Sequence, residues 1–122
     1  MGLAKNMMGG GFSSGQLRAL NGTVDDSVTA AGTAITDAFD LTADISIVDS
    51  CASGAGVQLY DGNIGDEQVV FNNTTTQCLV YPPVATSGIN QVAVGSAVVL
   101  PSKTCGRYQK VSVTQIVAFH SA

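Results

Sequence analysis

Tryptophan is absent from this 122-residue chain, histidine and glutamate occur once each, and lysine occurs three times. Each shortage excludes something. A Ser-His-Asp or Cys-His hydrolase needs an imidazole held by packing, and His120 stands near the frayed end of the sequence. Exposed helices are written with Lys, Glu, Arg and Ala, so few are expected. No apolar run approaches the roughly 20 residues of a membrane helix, so no membrane partner is expected. Charged residues make up only 11% and the net charge is −4. An acidic chain of this kind is not expected to have nucleic acid as its partner. Cys51, Cys78 and Cys105 stand 27 residues apart, which excludes a CxxC zinc or redox motif. The start MGLAKNMMGGGFSSG contains no apolar signal region, so a reducing compartment and free thiols packed as small apolar groups are expected. The cysteine count leaves one disulfide open.

What is abundant is β-branched. Val, Ile and Thr number 15, 6 and 11, a composition that predicts an all-β domain. Apolar and polar residues alternate from Thr33 onward, with Ile35, Phe39, Leu41, Ile45 and Ile47 on one parity and Ser46 and Ser50 on the other. Further strands are expected at Val57–Tyr60, Glu67–Phe71, Cys78–Tyr81, Ile89–Val94, Ser96–Leu100, Gly106–Gln109 and Val111–Phe119. Pro82-Pro83 stops one of them. Short strands at 8–12-residue spacing predict a small antiparallel β-sandwich or jelly roll, or a barrel-like domain, over residues 34–122.

Residues 1–33 are different. They are rich in Gly and Ser and show no alternation, yet they carry Leu3, Met7, Met8, Phe12, Leu17 and Leu20. A solvated tail would carry more charge, so this segment is read as an N-terminal arm that orders against a neighbouring subunit. The charges are also segregated. All nine acidic residues lie between Asp25 and Glu67, and Gln68 to Ser102 holds no ionisable charge other than the Cys78 thiol and Tyr81 phenol. Interface centres are depleted of charge, so that strip predicts a homo-oligomer.

Chemistry-bearing clusters are sparse. Asp61-Gly62-Asn63-Ile64-Gly65-Asp66-Glu67 places three carboxylates in seven residues and offers oxygen ligands for calcium. Hairpin turns use the same residues for backbone reasons, and the turn without metal is the reading adopted. Ser50-Cys51-Ala52-Ser53-Gly54 lacks a G-x-S-x-G frame, and Gly9-Gly10-Gly11 lacks the Lys of a phosphate loop. The sequons at Asn21, Asn72 and Asn73 read as Thr-rich turns. Tyr60, Tyr81 and Tyr108 offer an aromatic lining for a sugar groove or contacts in a core. No catalytic residue, cofactor or metal is expected.

Three blocks carry a family resemblance: the start MGLAKNMMGGGFSSGQLRALNG, the run G-D-E-Q-V-V-F-N-N…L-V-Y-P-P…I-N from Gly65 to Asn90, and the end of the last strand pair, Gln115-Ile116-Val117-Ala118. Together they resemble small virion structural proteins of tailed bacteriophages, of the capsid cement or decoration type. The chain departs from that pattern at Ile116, where an aromatic is usual, and in its three cysteines. The resemblance implies a non-enzymatic β-rich homotrimer on the capsid surface of the virion, assembled in the host cytoplasm, that binds the major capsid protein and stabilises the head. The arm residues Leu3, Met7, Met8, Phe12, Leu17 and Leu20 are then expected to bind the capsid. Val70, Val80, Tyr81, Val92 and Val98 are expected at the trimer interface. The alternative is a head-fibre or tail-fibre module that binds a carbohydrate or receptor; a head-to-tail joining protein belongs to the same structural class as cement.

Overall fold

The computed structural model describes residues 23–90 and 93–121, and among them every regular element is a strand. The arm residues Leu3 to Leu20 and the interface residue Val92 lie outside the described residues. The strands are β1 (Val24–Thr29), β2 (Phe39–Asp40), β3 (Ile45–Ser50), β4 (Gly56–Gln58), β5 (Glu67–Asn72), β6 (Cys78–Tyr81), β7 (Gly88–Ile89), β8 (Val98–Leu100), β9 (Cys105–Ser112) and β10 (Gln115–His120). They form a six-stranded sheet in the order β1-β3-β5-β9-β10-β7 and a four-stranded sheet in the order β2-β4-β6-β8.

The all-β expectation holds, but the antiparallel sandwich does not. β1, β3 and β5 are parallel neighbours in the larger sheet, and β2, β4 and β6 are parallel neighbours in the smaller one. The chain therefore alternates between two sheets and winds as a β-solenoid. Val24 pairs with Ile45 and Ile45 with Val69, a rise of one coil every 21 and then 24 residues. Parallel strands need a crossover of a dozen or more residues, usually a helix. Here each crossover is a corner, a short strand of the opposite sheet and another corner. Alternation within a strand carries no information about the direction of its neighbour, which is why sequence pattern did not separate the two architectures.

The last part of the chain reverses. β8 runs antiparallel to β6 and β9 antiparallel to β5, so the edge left by the final coil is paired rather than open. β9 and β10 then make a hairpin, and β7 joins β10 in parallel. The core lies between the sheets and holds Val28, Val48, Val57, Leu59, Val70, Val80, Ile89, Leu100, Tyr108 and Ile116.

Three local expectations change. Residues 23–33, assigned to the arm, belong in the folded body, because Val24–Thr29 pairs with β3. The strand expected around Ile35 is instead a turn. The Asp37 carboxylate accepts the N–H groups of Thr33 (2.9 Å) and Ala34 (2.8 Å), and these donors, Ala34 foremost, hold its pKa below the usual carboxylate range. In β3 the parity is inverted: Ser46 and Val48 are buried, whereas Ile45 and Ile47 face outward. Val48 puts an apolar residue on the parity that otherwise holds Ser46 and Ser50, so the pleat alone does not choose, and pairing of Ser46 with Val70 and of Val48 with Asn72 sets which face is inside.

The corners are fastened by buried amides. Asn72, fully buried, donates through Nδ2 to the carbonyls of Thr76 (2.9 Å), Leu100 (3.0 Å) and Pro101 (3.2 Å), and its Oδ1 accepts from Thr74 N–H (3.1 Å) and Thr74 Oγ1 (2.6 Å). Gln68 acts as a piece of strand in side-chain form: its Nε2 donates to Tyr60 O (2.9 Å) while its Oε1 accepts from Tyr60 N–H (3.0 Å). Buried polar groups of this kind persist because they are satisfied.

Candidate functional site

Register defines a broad outward surface on the six-stranded sheet. Val24, Ile45, Val69, Arg107 and Phe119 form one row across five strands. Ile47, Phe71 and Cys105 form the next row, and Glu67, Gln109 and Val117 a third. Val24 is 62% exposed and Phe119 66%, and Ile45, Ile47, Val69, Phe71 and Val117 are half-buried. The ions in these rows, Glu67 and Arg107, neutralise each other at 2.8 Å. Isolated exposed apolar residues are ordinary; a set drawn from four strands of one face, interrupted at β9 by Arg107 and Gln109, marks an interaction surface.

The opposite side of the molecule is partly covered by its own loops. On the smaller sheet, Tyr81 lies over Gly56 and its hydroxyl donates to the Thr33 carbonyl (3.3 Å), while Gln58 Nε2 donates to the Pro83 carbonyl (2.7 Å). Gly56 is required there, since a Cβ would stand 2.7 Å from Leu79 O and 2.9 Å from Tyr81 Cε2. Val84 and Val99 remain exposed on the uncharged stretch.

No protein-family model matches the chain, and no curated protein or solved structure matches it. The site is therefore argued from its own geometry.

The expected interface residues are corrected by that geometry. Val70 and Val80 are completely buried in the subunit's own core and Tyr81 is 7% exposed, so none of them offers surface to a neighbour. Val98 is half-buried and packs against the same core. Val70, Val80 and Val98 lie on the inward parity of their strands, whereas Tyr81 shares the outward parity of Leu79 and is covered by the segment at Thr33. In the same strands, Val69, Phe71, Leu79 and Val99 are the residues that face outward. The signal was present in the sequence: β5 reads Val69-Val70-Phe71 and β3 reads Ile45 and Ile47 beside Val48, apolar on both faces. Strands of that kind are covered on both sides.

The acidic turn has its charges occupied. Lys110 Nζ sits 2.8 Å from Asp61 Oδ1 and donates to the Gly62 carbonyl (2.9 Å). Asp66 Oδ2 accepts the Asn63 N–H (2.8 Å), and Glu67 pairs with Arg107. The chain's own ammonium stands where a cation was considered, and among the described residues no group of three or more His, Cys, Asp or Glu is arranged to hold a metal.

The tyrosines do not form a groove. Tyr108 is 1% exposed, Tyr81 is buried, and Tyr60 donates its hydroxyl to Asp44 Oδ1 (2.5 Å). Burial, then the Asp44 carboxylate, push the pKa of the Tyr60 hydroxyl above its ordinary value. His120 was expected as a free terminal residue. Instead its Nε2 lies 2.9 Å from the Tyr108 hydroxyl, with the rings edge-on at 5.7 Å and 66°. Burial lowers the imidazole's proton affinity, so the ring is neutral at neutral pH and, in the tautomer with its proton on Nδ1, accepts a hydrogen bond from the Tyr108 hydroxyl through Nε2.

Proposed function

We propose that the protein is a non-enzymatic structural component of a phage particle, a capsid cement protein that self-associates as a homotrimer and binds the major capsid protein. The observation that carries this reading is the outward face of the six-stranded sheet, where β1, β3, β5 and β10 present apolar side chains and the Arg107 of β9 between them is paired with Glu67. The five strands of this face, each about 4.8 Å wide and at least six residues long, cover about 24 by 20 Å. Pressed against an equal patch, that face buries about 1,000 Å² in total, the lower bound for a specific interface. A cyclic trimer has heterologous contacts, so this face of one copy meets a different patch on the next. The exposed, uncharged surface around Val84 and Val99 suits that role. The N-terminal arm, with Leu3, Met7, Met8, Phe12, Leu17 and Leu20, then engages the capsid, and three arms on one trimer bind with high effective concentration even if each is weak.

Light scattering after gel filtration tests the assembly: a species of three times 12.4 kDa is expected, and a monomer at high concentration overturns it. Deleting residues 1–20 is expected to abolish binding to heads built from the cognate major capsid protein while the trimer persists. Unchanged binding removes the arm from the proposal.

A further inference from the structure

We propose that Cys51 and Cys78 are a reversible disulfide site that ties two consecutive coils together covalently. Cys51 follows β3, in the corner leading to β4; Cys78 opens β6, one coil further along. The two corners are already joined by hydrogen bonds. Thr76 Oγ1 donates to the Cys51 carbonyl (2.6 Å), and Leu79 N–H donates to the Ala55 carbonyl (3.1 Å). Between these two links the Cys51 Sγ reaches across the gap and donates to the carbonyl of Gln77 (3.5 Å), the residue immediately before Cys78. Cys51 also packs against the buried core cluster to which Cys78 belongs. β4 and β6 are paired neighbours with Gly56 opposite Leu79, so the corner that carries Cys51 lies beside the residue that opens β6, and a disulfide there needs Cα atoms roughly 4.4–6.8 Å apart.

The two thiols differ in a way that sets the order of events. Cys78 is fully buried, and burial, followed by the nearby Cys51, makes its proton harder to remove. Cys51 is half-buried and open to a small oxidant. The oxidant is a small-molecule disulfide such as oxidised glutathione. The Cys51 thiol loses its proton to solvent, and its sulfur attacks one sulfur of the oxidant. A mixed disulfide forms and one small thiolate leaves. Cys78 then gives up its proton, and its sulfur attacks the Cys51 Sγ and displaces the second thiolate. Two protein thiols are oxidised and one small disulfide is reduced to two thiols. Cys105 takes no part: it lies on the outer face of the six-stranded sheet, in register with Phe71.

The structure holds the thiols free, which is the state a reducing cytoplasm maintains. The bond closes a loop spanning 27 positions, so it restricts the unfolded chain more than the folded one. The inference stands independently of the proposed role in a capsid.

The test uses the full chain, reduced, exposed to oxidised glutathione and then alkylated. Intact mass is expected to fall by two hydrogens, with Cys105 the only alkylated cysteine and with one non-reduced peptide joining Cys51 to Cys78. The melting temperature is expected to rise by about 10 °C, to return on adding dithiothreitol, and not to rise in Cys51→Ser. That variant keeps a hydrogen-bond donor for the Gln77 carbonyl, so it is expected to fold. Cys105→Ser is expected to leave the cross-link intact. Alkylation of both Cys51 and Cys78 after exposure, a mixed disulfide that persists at Cys51, or Cys105-linked dimers as the sole product would overturn the proposal.

Discussion

Asn72 is the position where one substitution tests the corner architecture most directly. Its amide clasps the corner at Thr74–Thr76 to the turn at Leu100–Pro101, joining the last parallel coil to the strands that reverse over it. In Asn72→Ala each carbonyl partner keeps a second donor. The Thr76 carbonyl still accepts from Thr74 Oγ1 (2.9 Å), and the Pro101 carbonyl still accepts from Thr104 Oγ1 (2.6 Å). The bond to the Leu100 carbonyl is the buried one, and that acceptor is left with only its ladder partner Cys78 in β6. Each of the three donated bonds is a net loss of about 1 kcal/mol, since every acceptor keeps another donor. The expected loss is about 3 kcal/mol, a large share of the roughly 5–15 kcal/mol that holds a domain together. Asn72→Asp is expected to be worse than alanine, because it turns an oxygen toward three carbonyls in a buried site. Urea unfolding at constant m-value measures both. An alanine variant within about 1 kcal/mol of the parent, or an aspartate variant more stable than alanine, refutes the assignment of this side chain as the clamp.

Three further outcomes are expected. Val69→Lys and, separately, Val99→Lys should dissociate the assembly without unfolding the subunit, since both side chains face outward; an unchanged scattering mass for both variants removes these surfaces from the interface. Gly56→Ala should lower stability by about 1–3 kcal/mol, because the new methyl meets the Leu79 carbonyl and the Tyr81 ring, and an unaltered melting temperature contradicts that packing. His120 carries a pH dependence of definite sign. Burial depresses its folded-state value below the ordinary 6.5, so the unfolded chain binds the extra proton first. Stability contributed here is complete above pH 6.5 and declines as pH falls through the folded value, when protonated Nε2 no longer accepts from Tyr108. His120→Gln should flatten the melting curve over that window; a curve that still declines identically assigns the effect to other groups.

Composition alone determined that this is a β protein: with 32 β-branched residues and a single glutamate, long surface helices have no material. Local patterning located several strands well, because Cys78–Tyr81 and Glu67–Phe71 are bounded by residues that cannot extend a ladder or that favour turns. β1 was missed, since Val24-Asp25-Asp26-Ser27-Val28-Thr29 has only two apolar residues and earns its place from β3 rather than from its own propensity. The apolar outer surface was legible in principle, as hydrophobic residues on both parities of β3 and β5, but it was assigned to Val70 and Val80 on the wrong side.

What tertiary structure alone decided is direction and facing. A pleated segment has the same two-residue period whether its neighbour runs with it or against it, so the parallel winding of β1 to β6 was not encoded in any one segment. Which side of β3 is inside depends on pairing with β5, a contact between residues 24 positions apart. The same holds for the roles of Asn72 and Lys110: partners at Leu100 and Asp61 lie in distant strands and turns, and only the closed coil brings a donor within reach of its acceptor.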